Sequence, residues 1–269
     1  GLRLFGNLTY SKNKIVFRDE PAMQYAYQKS EGTRYGEFYG YIAEGYFQSE
    51  EEIKKSPRQM RELAPGDIKY KDLNDDGVID ANDQCYLGKS WFPSWSYGMG
   101  FNINYHNFDL ALFFQGVSDV SIMANGGSID TGNGDWGASG VGIVPFTGMG
   151  LNPSNVITKA LDRWTADNPR ADAWYPRMTA NATTNDNNYV NSTHWLKDGS
   201  YLRLKQASLG YTLENKKLMD KGIEYLYFYL SGQNLLTFSK FKLWDPELGS
   251  NGAKYPLSRM VTLGMRVSF

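Results

Sequence analysis

Cysteine is nearly missing from this sequence: Cys85 stands alone among 269 residues, so no disulfide can close within the chain. Histidine is almost as scarce, with only His106 and His194, and neither has a metal-ligand spacing. No Ser/His/Asp or Cys/His arrangement, phosphate-cradling glycine loop or paired-carboxylate motif is present, so the sequence reads as non-enzymatic. Neither sign of charge dominates. With 28 Lys and Arg against 29 Asp and Glu, the net charge of -1 argues against a nucleic-acid partner. Long apolar runs are also missing, which excludes a membrane-spanning helix of about 20 residues. It does not exclude a membrane barrel, whose strands need only alternate. The chain opens at Gly1 without a signal peptide, and Leu2–Ser11 already reads as a strand. The expectation is a segment that begins inside a longer chain.

Alternation is what the sequence does contain. Val261, Leu263, Met265, Val267 and Phe269 fall on one face of an extended strand, and Thr262, Gly264, Arg266 and Ser268 on the other. The pattern ends on an aromatic, as the last strands of outer-membrane barrels do. Residues 96–106 repeat it, with Tyr97, Met99, Phe101, Ile103 and Tyr105 against small polar residues. Aromatics flanking smaller apolar residues suit a lipid-facing band between interfacial girdles. Further strands are expected at 2–12, 107–118, 200–213, 224–236 and 260–269. Within 200–213, Leu202 and Leu204 are out of phase with Leu209 and Tyr211, which predicts a bulge.

The connections alternate in length: long (13–95), tight (at His106-Asn107), long (119–199), short (214–223) and medium (237–259). In an up-and-down barrel alternate connections share a side, so the three longer ones fall together, as the extracellular loops of such barrels do. Short helices are expected at 155–165 and Glu50–Leu63, and the Asn/Thr-rich stretch 181–193 reads as a flexible loop tip.

The sharpest chemical signal is an acidic loop within 66–90. Asp72, Asn74, Asp76 and Asp80 occupy positions 1, 3, 5 and 9 of an EF-hand-like calcium loop, with Gly77 at the sharp turn. Val78 would offer its carbonyl, Ile79 points inward, and Asp83 stands where an EF-hand carries Glu. This set predicts structural binding of calcium or magnesium, without flanking helices that would make it a sensor.

The segments Pro65–Asp80, Tyr97–Tyr105, Phe108–Gly116, Trp195–Lys205, Ser208–Tyr211, Ser231–Phe238, Trp244–Glu247 and Tyr255–Arg259 occur in an order that resembles the C-terminal part of SusC/RagA-type TonB-dependent outer-membrane transporters. The resemblance implies an all-β fold: about six antiparallel strands with long extracellular loops, the C-terminal portion of a 22-stranded transmembrane β-barrel. It implies import of a large glycan or peptide, a SusD-like surface lipoprotein as partner, and coupling to TonB through a plug-bearing remainder absent from 1–269. Two other readings stay open: a soluble calcium-stabilised carbohydrate-binding β-protein and a small self-contained outer-membrane barrel. Among the aromatics of 119–199, Trp164 and Trp195 read as structural. Trp136, Trp174 and Tyr175 are the candidates for substrate contact.

Overall fold

The computed structural model describes residues 1–125, 157–178, 186–252 and 254–269. Six strands build one sheet: β1 (Leu2–Tyr10), β2 (Trp95–Tyr105), β3 (Phe108–Ser118), β4 (Tyr201–Leu213), β5 (Tyr225–Ser239) and β6 (Met260–Ser268). They stand side by side in chain order, each neighbouring pair antiparallel, which is an up-and-down meander. All six lie where the alternation put them.

The register explains why alternation is so strong. Leu2, Ile103, Leu110, Leu209, Leu230 and Leu263 stand opposite one another from strand to strand. The adjacent row on the same face reads Leu4, Phe101, Leu112, Ala207, Gly232 and Val261. On the other face a row reads Arg3, Asn102, Ala111, Ser208, Ser231 and Thr262. The apolar rows are open: Leu2 is 66% and Leu263 79% exposed. A one-residue slip would move these side chains to the polar face, so the pattern fixes the pairing.

The expected bulge is present. Leu204 opposes Phe114 and Gln206 opposes Phe113, which leaves Lys205 as an extra residue against β3. On the other side Leu204 opposes Leu236 and Gln206 opposes Gln233, so Asn234 and Leu235 together face Lys205. Asn234 takes φ 53°, a conformation Asn tolerates better than most residues. The extra residue returns Leu209 and Tyr211 to the face of Leu202 and Leu204.

The connections divide as expected. A two-residue turn, with His106 at φ 51°, joins β2 to β3, and residues 214–224 join β4 to β5 at the same end. The three longer connections meet at the opposite end and fold together into a cap. Its short ribbons were not foreseen: Glu37–Gly40 with Cys85–Ser90, Ala43–Tyr46 with Ile68–Tyr70, and Ser121–Met123 with Leu196–Asp198. At three to six residues apiece they are too short for alternation to be visible.

Two helix expectations need correction. The first helix spans only Glu50–Lys55, capped by the Ser49 hydroxyl accepting from Glu52 N–H, and it ends at Ser56. Pro57 disfavours helical backbone in the residue before it. In place of a helix over 155–165, a single 3-10 turn occupies Thr158–Leu161.

The cap has its own core, in which Tyr46, Ile68, Tyr70, Trp164, Tyr175 and Trp195 are buried together. Asn187 and Asn188, from the stretch read as a loop tip, are fully buried there. Asn188 accepts from Ile68 N–H at 2.8 Å and donates to Asp67 at 2.7 Å, while Asn187 accepts from Gln59 at 2.8 Å. The side-chain amides stand in for peptide groups at a ribbon edge, so these two asparagines are buried with hydrogen bonds made. Trp195 donates its indole N–H to the Asn188 carbonyl at 2.7 Å.

Candidate functional site

The acidic loop follows Ile68–Tyr70 and turns at Gly77, which has φ 82° and leaves its N–H free to donate to Asp72 Oδ2 at 2.8 Å. Asn74 accepts from Asp76 N–H, and Asp76 accepts from Val78 N–H. Asp80 caps the following 3-10 turn by accepting from Asn82 N–H at 2.7 Å. Asp83, fully buried, accepts from Leu73 N–H at 2.7 Å and from Asp80 N–H at 2.9 Å. Ile79 is 1% exposed, inward as expected, and its N–H donates to the Arg58 carbonyl at 2.7 Å.

The loop is thus self-supporting. Among the described residues no three His, Cys, Asp or Glu side chains converge on one point. One atom is left over: Asp72 Oδ1 is buried without a hydrogen-bond partner. A buried carboxylate oxygen with no donor is costly unless a cation meets it.

The aromatic candidates separate. Tyr175 is 0% exposed and packs against Trp195, ring centroids 5.7 Å apart, so it builds the core and cannot touch substrate. An aromatic one residue from an exposed neighbour cannot be sorted by composition, since adjacent side chains in extended backbone point oppositely. Trp136 lies outside the described residues. Trp174 is half-buried: its ring meets Trp195 on one side, and it also lines a cavity of about 750 Å³.

That cavity was not legible in the sequence, because four separate segments form it. Lys159 comes from the 3-10 turn, Trp174 from the segment after it, Lys197 from the ribbon edge, and Lys240, Lys242 and Leu243 from the connection after β5. Lys197 Nζ stands 5.3 Å from the Trp174 ring centroid and Lys159 Nζ 6.0 Å, both within cation–π range. Lys159 is paired with Asp162 at 2.7 Å, and Asp162 also takes Arg170 at 2.9 Å. Among the described residues Lys197 donates only to the His194 carbonyl, at 2.6 Å. Burial, and then the charge of Lys159, push its amine down to about 8. His194 is held neutral, its ring pushed down to about 4 by burial and then by Lys197. Cys85 is buried and burial raises its thiol, so it is no nucleophile.

No protein-family model matches the sequence. Over 84% of its length the chain is 30% identical to TonB-dependent receptor P26 of Formosa agariphila, covering 22% of that receptor. To TonB-dependent receptor P3 of the same organism it is 27% identical over 98% of its length, covering 26% of the relative. The chain therefore spans about a quarter of the length of the curated relatives it matches. Among solved structures, the RagAB peptide transporter superposes over 100% of the chain and 27% of its own, with TM-score 0.67 and 22% identity. The RagAB peptide importer in its open-open state gives TM-score 0.65 at 21% identity, again over 100% of the chain and 26% of its own. These relatives are receptors and transporters, not enzymes.

Proposed function

From a chain that belongs to the TonB-dependent receptors, we propose the following function: as part of a SusC/RagA-type transporter, its six strands form part of a 22-stranded outer-membrane barrel that imports a large nutrient, peptide or glycan, with energy from TonB. The observation that carries this is the row Leu2, Ile103, Leu110, Leu209, Leu230 and Leu263, apolar on all six strands. A face that apolar and that open is suited to lipid and poorly suited to water, which speaks against the soluble carbohydrate-binding reading. The cap lies at the end of the long connections, the outer side in barrels of this kind. There a SusD-like surface lipoprotein would sit against it, and Trp174 would face incoming substrate. Trp136 is a second candidate contact.

The test is uptake of fluorescent oligopeptides and oligosaccharides by cells carrying the whole receptor and its lipoprotein, with and without TonB. Uptake lost on removing either the receptor or TonB supports the reading. Receptor-borne uptake that persists without TonB overturns it.

Calcium, or magnesium in its place, is the cofactor we propose for the acidic loop. Asp72, Asn74, Asp76, the Val78 carbonyl, Asp80 and Asp83 would hold it, with oxygens at about 2.3–2.6 Å for calcium. The bound ion would brace the cap and take no part in transport chemistry. Calorimetric titration of the whole receptor with calcium tests it, and equal heats for wild type and Asp72→Asn would refute it.

A further inference from the structure

The cavity beside Trp174 carries more positive charge than it neutralises. Of its four lysines, only Lys159 has a carboxylate partner among the described residues. Lys240 and Lys242 are exposed at its margin. Asp198, also in the wall, accepts from the N–H of Ser200 at 2.9 Å and feels the charges of Lys240 and Lys89 without forming an ion pair with either. Lys197 is the telling group. Its side chain is half-buried over Trp174, its ammonium donates to one carbonyl, and among the described residues no carboxylate forms an ion pair with it. A desolvated ammonium keeps its charge poorly on its own and gains most from an incoming carboxylate.

We infer that this cavity is an anion subsite, in which Lys197, flanked by Lys240 and Lys242, takes a carboxylate of an imported oligopeptide while Phe241 and Leu243 take the apolar side chain beside it. The inference rests on the import reading above and names the ligand chemistry for its Trp174 site. Peptide is favoured over acidic sugar by the walls. The Trp174 face on which a sugar ring would stack already carries two ammonium groups, while Ile157, Leu161, Phe241 and Leu243 give the wall an apolar half. A carboxylate beside a Leu- or Phe-like side chain matches both halves of that lining. Charge-assisted hydrogen bonding to a half-buried ammonium gives selectivity that a fully exposed lysine would not.

The experiment uses the whole receptor with its lipoprotein, purified in detergent. Fluorescence anisotropy compares one labelled oligopeptide bearing Glu and a free C-terminus with its Gln, C-amidated twin. Wild type should prefer the acidic peptide by roughly tenfold or more. Lys197→Met should abolish the preference, and Lys197→Arg should restore it. The preference should also fall as pH rises from 7 to 9.5 in wild type and persist in Lys197→Arg. The other charges facing the site are Lys159, Lys240, Lys242, Asp162 and Asp198, with His194 neutral throughout that range.

Equal binding of the twins by wild type overturns the subsite. So does a Lys197→Met receptor that keeps the preference. A tighter hold on oligogalacturonate than on the acidic peptide overturns the peptide assignment. TonB-dependent uptake of the neutral twin is measured alongside. If it persists while the preference is absent, the subsite fails and import stands. If no uptake depends on TonB, the import reading itself has failed.

Discussion

Arg203 of β4 reaches Asp245 in the connection after β5, with Nη2 and Oδ1 2.6 Å apart, and it touches Glu247 at 3.3 Å. The guanidinium is 1% exposed, whereas the carboxylates are 17% and 27% exposed. The joint therefore ties the sheet to the cap, and its two ends differ in access to water.

That difference predicts an asymmetry. Replacing both carboxylates (Asp245→Asn with Glu247→Gln) strands a buried cation and should cost about 3–5 kcal/mol. Arg203→Met leaves two anions that water can reach, so it should cost clearly less. Thermal unfolding of the whole receptor in detergent, with trypsin cleavage in 240–259 as a local readout, checks the order. The reverse order would mean that the carboxylates, not the arginine, depend on the pair.

Gly66 takes φ 92°, and a Cβ placed there would overlap the Trp164 indole. Positive φ alone costs an alanine about 1–2 kcal/mol, and the ring adds an overpacking penalty of about 1–3 kcal/mol. Gly66→Ala should open the cap to proteolysis while the sheet stays intact. A variant as resistant as wild type would show that Trp164 can move aside freely.

His194 ties the stability of the cap to pH. The folded ring resists protonation until about 4, against 6.5 for an ordinary histidine. The unfolded chain thus binds the proton first, and cap stability is full above pH about 6.5 and lost as pH falls toward 4. Hydrogen exchange in 190–198, corrected for intrinsic rates, should quicken across that window. His194→Gln should flatten the profile, since an amide still reaches the Trp174 carbonyl now 3.1 Å from Nε2.

At Asn234 the backbone sets the preference. With φ 53°, Asn234→Gly should be tolerated and Asn234→Val should cost about 2 kcal/mol, since a β-branched residue resists that conformation. Urea unfolding of the two variants in matched detergent compares them directly. Equal midpoints would place the irregularity elsewhere.

The sheet was readable and the cap mostly was not, for a physical reason. A strand with lipid on one side and a polar interior on the other must alternate, and even the bulge at Lys205 left its mark as a phase slip between Leu204 and Leu209. In the cap, Tyr175 and Trp174 are neighbours with opposite fates. Asn187 and Asn188 look like loop residues because amides that replace peptide groups carry no apolar signature. The acidic loop showed its turn and its inward Ile79, because both follow from spacing. The Trp174 cavity left no trace, since its walls come from four distant segments.

The cap core joins residues that the chain delivers far apart: Tyr46 donates to the Ala173 carbonyl, and Asn188 accepts from Ile68. No single connection holds enough of that core to fold alone. Contacts of such high sequence separation form slowly, after the loops that bring them together have closed. The sheet, whose pairings follow chain order, supplies that closure. The two halves of the cap core are thus interdependent: residues 11–94 stay incomplete unless 157–198 stand beside them.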